Sequence, residues 1–187
     1  MPQQDMSFDN DSVVADTRRW IERAVIGLNL CPFARSAFAE KRIRYCVSGA
    51  RSADQLLADL DVELRRLHAA DPLECETTLL IHPGALEDFL DYNDFLDVAD
   101  AALEALDLDA EIQVASFHPS YQFADAAPDA VENCTNRSPY PMLHLLRQES
   151  IERAVAAFPD TAKIYEANIA TLRLLGAEGW RRLWLNP

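Results

Sequence analysis

The feature that most restricts what this chain can fold into is a repeated order of short apolar runs and longer amphipathic ones. Ile43-Arg44-Tyr45-Cys46-Val47 is β-rich, of strand length, and closed by Ser48-Gly49. Thr77-Thr78-Leu79-Leu80-Ile81 is almost wholly apolar, as a strand covered on both faces is. Glu111-Ile112-Gln113-Val114-Ala115-Ser116-Phe117 is the third such run. Between the first two, Ser52 caps a helix over about 53–67 with Leu56, Leu60, Leu64 and Leu67 as its inner stripe. Between the second and third, the spacing predicts a helix over about 85–106. It turns Leu86, Phe89, Leu90, Leu96, Ala99 and Leu103 inward and shows water a row of acids from Glu87 to Asp100. Strand, helix, strand, helix, strand is the pattern of two βαβ units. It predicts an α/β fold with a small, mainly parallel sheet of about three strands, flanked by many helices.

The flanks read as helical. Residues 1–10 are expected to form a disordered tail and 11–187 a single domain. Asp11 or Ser12 opens a helix to about Leu30, with Val14, Ile21, Val25 and Leu28 on one stripe, and Cys31-Pro32 stops it. The polar connection over about 120–139 is longer than a compact domain needs, which marks a functional or mobile loop. Beyond it, Ser138 and Pro141 predict the start of a helix running to about Phe158, broken by Pro159. Another follows from about Thr161 to Leu175, punctuated by Gly176.

Composition then removes whole classes of function. No stretch approaches the ~20 apolar residues of a membrane span. With 31 acids against 17 bases and a formal charge of -14, a nucleic acid would be repelled. The four cysteines lack a C-x-x-C pair and the polar, acidic N-terminus lacks a secretory leader, so a cytoplasmic protein with reduced thiols is expected.

In parallel sheets ligands gather outside the carboxyl ends of the strands. His82 and His118 stand there, each directly after a predicted strand and before a proline. Two imidazoles brought together could share one divalent transition metal or act as an acid–base pair, and a metal would need a third ligand, Cys31, Asp125 or His144. The segment Asn133-Cys134-Thr135-Asn136-Arg137-Ser138-Pro139-Tyr140-Pro141 gathers amides, hydroxyls, an arginine and a phenol before the predicted helix, an arrangement suited to an anion. On that helix His144 and Arg147 fall within the inner arc. Arg147 therefore needs a carboxylate, a chain of carbonyls or a bound anion. Cys31 sits at a helix C-terminus, which does not activate a thiol, although a Cys-Pro pair can contact haem.

Five stretches together resemble one family: Asn29-Leu30-Cys31-Pro32-Phe33-Ala34, Thr77 to Pro83, Asp91-Tyr92-Asn93-Asp94-Phe95, Phe117 to Phe123, and Asn136 to Arg147. It is a bacterial and plant-plastid family of unknown function, DUF1415, and the resemblance runs from about residue 12 to 176. It implies no reaction, cofactor or catalytic residue. An aromatic residue is expected where this chain has Cys134, which argues against an essential thiol there. The residues favour an enzyme acting on a small anionic metabolite. His82 and His118 would be metal ligands or acid–base groups, and Arg137 and Arg147 would capture the anion. Tyr121, Asn136, Tyr140 and His144 would complete the site. The alternative is a non-catalytic α/β module that binds a small molecule or docks on a partner.

Overall fold

A computed structural model describes residues 8–157 and 161–185. Three of its strands lie where the apolar runs predict them: β1 (Ile43–Val47), β2 (Thr77–Ile81) and β3 (Ile112–Phe117). A fourth, β4 (Met142–Arg147), occupies the first half of the segment read as a helix. The sheet order is β1-β2-β4-β3. β1 and β2 are parallel, while β4 runs antiparallel to both β2 and β3. The sheet is thus mixed and four-stranded, which corrects the expectation of three mainly parallel strands. Leu and Met favour helices, but β4 is hydrogen-bonded on both sides and buried on both faces, and that tertiary setting overrides local preference.

The helices are α1 (Asn10–Trp20), α2 (Ala34–Ala39), α3 (Ala53–Ala69), α4 (Phe89–Ala105), α5 (Gln148–Ala157) and α6 (Thr161–Leu185). A π-helical turn, Ile21–Ile26, extends α1. The long C-terminal helix is kinked at Gly176, whose φ of 67° a residue with a side chain would resist. α3 matches its sequence pattern closely. The Ser52 hydroxyl accepts the Gln55 N–H, and Leu56, Leu60, Leu64 and Leu67 are fully buried. α4 begins four residues later than expected, capped by Asp88, and buries Tyr92, Phe95, Ala99 and Leu103. Leu90, expected inside, is exposed, whereas the acids from Glu87 to Asp100 lie outside as expected. In α1 the buried side chains are Val13, Thr17 and Trp20, so Val13 replaces the predicted Val14, while Ile21 of the π-helical turn is buried and Val25 and Leu28 pack against the core as expected. Pro159 and most of the N-terminal tail fall outside the described residues.

Strand alternation gives the sheet two apolar faces. Leu80, Ile112, Leu143 and Leu145 pack under α3 and α4. Leu79, Ile81 and Met142 pack under α1, the π-helical turn and α6 with Trp20, Ile21, Leu172 and Trp180. Tyr92 of α4 ties the first layer to the sheet. Its hydroxyl donates to the Met142 carbonyl at 2.8 Å and accepts the Phe117 N–H at 3.0 Å, bridging the last paired residues of β3 and β4. Tyr92→Phe leaves both groups unpaired in the interior and should cost about 1–3 kcal/mol in denaturant unfolding. A change below about 0.5 kcal/mol would mean that other partners replace the hydroxyl.

Candidate functional site

The carboxyl ends of β2 and β3 do bring His82 and His118 together, on either side of Tyr92. The His82 and Tyr92 rings stack with centroids 5.9 Å apart, and Tyr92 and His118 lie 5.0 Å apart. Both imidazoles are almost completely buried. His82 Nδ1 donates to the Ala85 carbonyl at 2.9 Å, since a carbonyl can only accept. His118 Nε2 donates to the Leu86 carbonyl at 3.2 Å, and its Nδ1 accepts the Ser120 N–H at 3.0 Å. Burial depresses both pKa values, that of His82 to about 4, so both rings are neutral. Together they fasten the turn from His82 to α4, in which Leu86 stands at the left-handed φ of 54°.

This geometry does not suit a shared metal. His118 has both nitrogens engaged, and of the two rings only His82 Nε2 is left without a partner among the described residues. Among the described residues no three His, Cys, Asp or Glu side chains converge as a ligand set. Cys31 and His144 lie on the opposite face of the sheet, and Asp125 is exposed in the loop after β3. Burial pushes the Cys31 thiol up, and the side chain stands at the apolar cavity on the opposite face of the sheet, away from His82 and His118.

The anion-binding segment is also rearranged. With β4 in place of a helix, Ser138 and Pro141 precede a strand, and no helix N-terminus stands behind Arg137. Instead the segment locks the long loop down. Asn133 is fully buried. Its Oδ1 accepts the Phe123 N–H and its Nδ2 donates to the Ala127 carbonyl. Asn136 donates to the Ser116 carbonyl. Arg137 donates to the carbonyls of Tyr121 at 3.2 Å and Pro128 at 2.7 Å. Its guanidinium also borders a cleft of about 490 Å3 with Asp88, Ser120 and Gln122. Tyr121 packs between Phe89 and Phe123. Tyr140 turns away to the other face, where its hydroxyl donates to Asp16 at 2.9 Å. Cys134 is a buried core thiol.

Arg147 lies at the far end of the sheet from His82 and His118. It meets the chain of carbonyls rather than an anion: Leu67 at 2.6 Å, Ala70 at 2.7 Å and Cys75 at 3.2 Å. It therefore closes the C-terminal end of α3, where a cation is favoured. The expected convergence of His82, His118, Arg137 and Arg147 on one hollow does not occur.

His144 sits elsewhere, mid-strand in β4 opposite Leu79 and Ala115. It lines a cavity of about 300 Å3 between the sheet and the helices that cover it. The floor is Ile43, Thr77, Leu79, Ala115, Phe117, His144 and Leu146. The roof is built by the α1 end and π-helical turn, by Cys31 and α2, and by α5. Nearly every wall is apolar. Thr77 Oγ1 lies 2.6 Å from the Leu145 carbonyl and 2.7 Å from His144 Nε2. The single hydroxyl proton goes to the carbonyl, so Nε2 carries the hydrogen that Thr77 accepts. Burial pushes His144 down to about 4, and the ring is neutral. Nδ1 is therefore a bare lone pair, with no hydrogen-bond donor among the described residues. Thr77, Ala115 and Phe117 were not singled out by sequence. Reading 142–147 with a period of two would have set Met142, His144 and Leu146 on one face beside them.

A family model described as a protein of unknown function, DUF1415, matches residues 12–182. No curated protein and no solved structure matches the chain. Among the described residues no helix is long and apolar enough to cross a membrane.

Proposed function

The chain belongs to the DUF1415 family, whose description assigns no activity, and from its own residues we propose that it is a small-molecule-binding α/β domain. Its ligand would occupy the cavity between the sheet and α1, α2 and α5. The observation that carries this reading is the cavity of about 300 Å3 with almost wholly apolar walls. Native interiors are packed closely enough that such a space is unusual. An engineered apolar cavity of about 150 Å3 in another protein already takes up benzene. The catalytic role sketched for His82 and His118 finds less support, because three of their four ring nitrogens are committed to backbone groups.

Toluene tests the reading. It should bind saturably to the wild-type protein and raise its melting temperature. Ala115→Phe, which puts a ring into the space beside His144, should fold and lose that response. Equal responses from both proteins would place toluene elsewhere and remove the cavity from the account. A second reading keeps the anionic metabolite and rests on Arg137, which borders the cleft and has no carboxylate partner among the described residues. Citrate binding lost in Arg137→Gln would favour it.

A further inference from the structure

The chemistry of the ligand can be narrowed, and this step rests on the cavity reading above. We propose that the cavity selects an uncharged, largely apolar molecule carrying one hydrogen-bond donor, a phenol-like group, which donates to Nδ1 of His144.

Three observations lead there. Thr77 fixes the tautomer, because its hydroxyl is already given to the Leu145 carbonyl and can only accept from Nε2. Moving the proton to Nδ1 would turn the Thr77 hydroxyl away from the Leu145 carbonyl toward Nε2 and take that hydrogen bond from the carbonyl. The ring is also held in place. It is anchored by Thr77 on one side and packs against Phe117 with centroids 6.0 Å apart. Its acceptor is thus presented in a fixed direction at no further ordering cost. Finally, the surroundings disfavour charge. His144 is neutral, the Cys31 thiol is protonated, and the one ionisable oxygen on the wall belongs to Glu76, already paired with Arg42. A carboxylate or phosphate would lose its hydration without gaining a cation. A neutral donor satisfies an acceptor that no hydrogen-bond donor of the described residues engages.

Wild-type protein titrated with toluene, anisole and phenol decides the matter. The three share a ring, and only phenol offers an O–H. In a purely apolar cavity phenol would bind more weakly than toluene, because its hydroxyl would be stripped of water. With His144 as acceptor, phenol should bind at least ten-fold more tightly than either anisole or toluene, and benzoate should not bind. The Nδ1 nitrogen resonance of His144 should move with phenol and not with toluene, while Nε2 stays protonated. His144→Phe should abolish the preference for phenol and retain toluene. Toluene uptake by the wild-type protein without preference for phenol would overturn this inference and leave the cavity reading intact. No uptake of any of the three would overturn both.

Discussion

Acidification from pH 7 to pH 4.5 should destabilise this domain, although it lowers the charge of a strongly acidic chain. His82 and His144 are both held at about 4 in the folded protein by burial, against an ordinary value of 6.5. The folded values lie below the unfolded ones. The stabilising contribution is therefore complete above about pH 6.5 and falls away as the unfolded chain takes up protons that the folded chain refuses. At about 1.4 kcal/mol per pH unit, the interval from 6.5 to about 4 amounts to about 3 kcal/mol for each histidine once fully crossed. His118 is shifted in the same direction and adds to the effect. Self-repulsion works the other way, since 31 acids face 17 bases and protonating carboxylates relieves it. Urea unfolding at half-unit steps of pH should thus give stability that declines from about pH 6.5 downward, with a shallower decline in His144→Phe. A profile in His144→Phe no shallower than that of the wild-type protein would mean that His144 is not held neutral by the fold.

The second large effect belongs to Arg147. Removing its guanidinium, as in Arg147→Met, takes charged donors away from the carbonyls of Leu67, Ala70 and Cys75. The Leu67 oxygen keeps a longer contact with the Ala70 N–H at 3.2 Å, while the guanidinium charge lying directly against the last carbonyls of α3 is lost and only Arg66 remains as an arginine in its last turn. The expected loss is about 2–4 kcal/mol in unfolding free energy. Arg147→Lys should restore only part of it, because one ammonium cannot reproduce the planar fork that spans three oxygens. Toluene and phenol binding by either variant should be unchanged at temperatures where it remains folded. A variant that keeps its stability and loses ligand binding would return Arg147 to the role expected from sequence.

How far the sequence could be read depends on which forces decide each element. α3 was legible to the residue in its leucine stripe, because a helix packed on one side carries its period in its own side chains. β1, β2 and β3 were legible because short apolar runs between turn residues have few alternatives. β4 was not. Met142-Leu143-His144-Leu145-Leu146-Arg147 contains no β-branched residue and runs straight into the genuine helix α5, so only its pairing with β2 and β3 reveals it. That one misreading displaced the candidate site. His144 and Arg147 share the inner arc of a helix, but on a strand they face opposite ways, one into the cavity and one toward the end of α3. His82 and His118 were expected together if their strands were neighbours; they do share one sheet edge, although β4 lies between β2 and β3. What their nitrogens do could not follow, since it depends on where the carbonyls of Ala85 and Leu86 point.

The account turns on the space above His144 being a place where a molecule resides. Amide and methyl resonances of the wild-type protein, followed during a phenol titration, test that most directly. Saturable shifts should be confined to residues around the cavity, Leu79, Ala115, His144 and Ile151 among them, and should be absent from the turn at His82 and His118. Shifts gathered at that turn and at Arg137, with the cavity residues still, would contradict it.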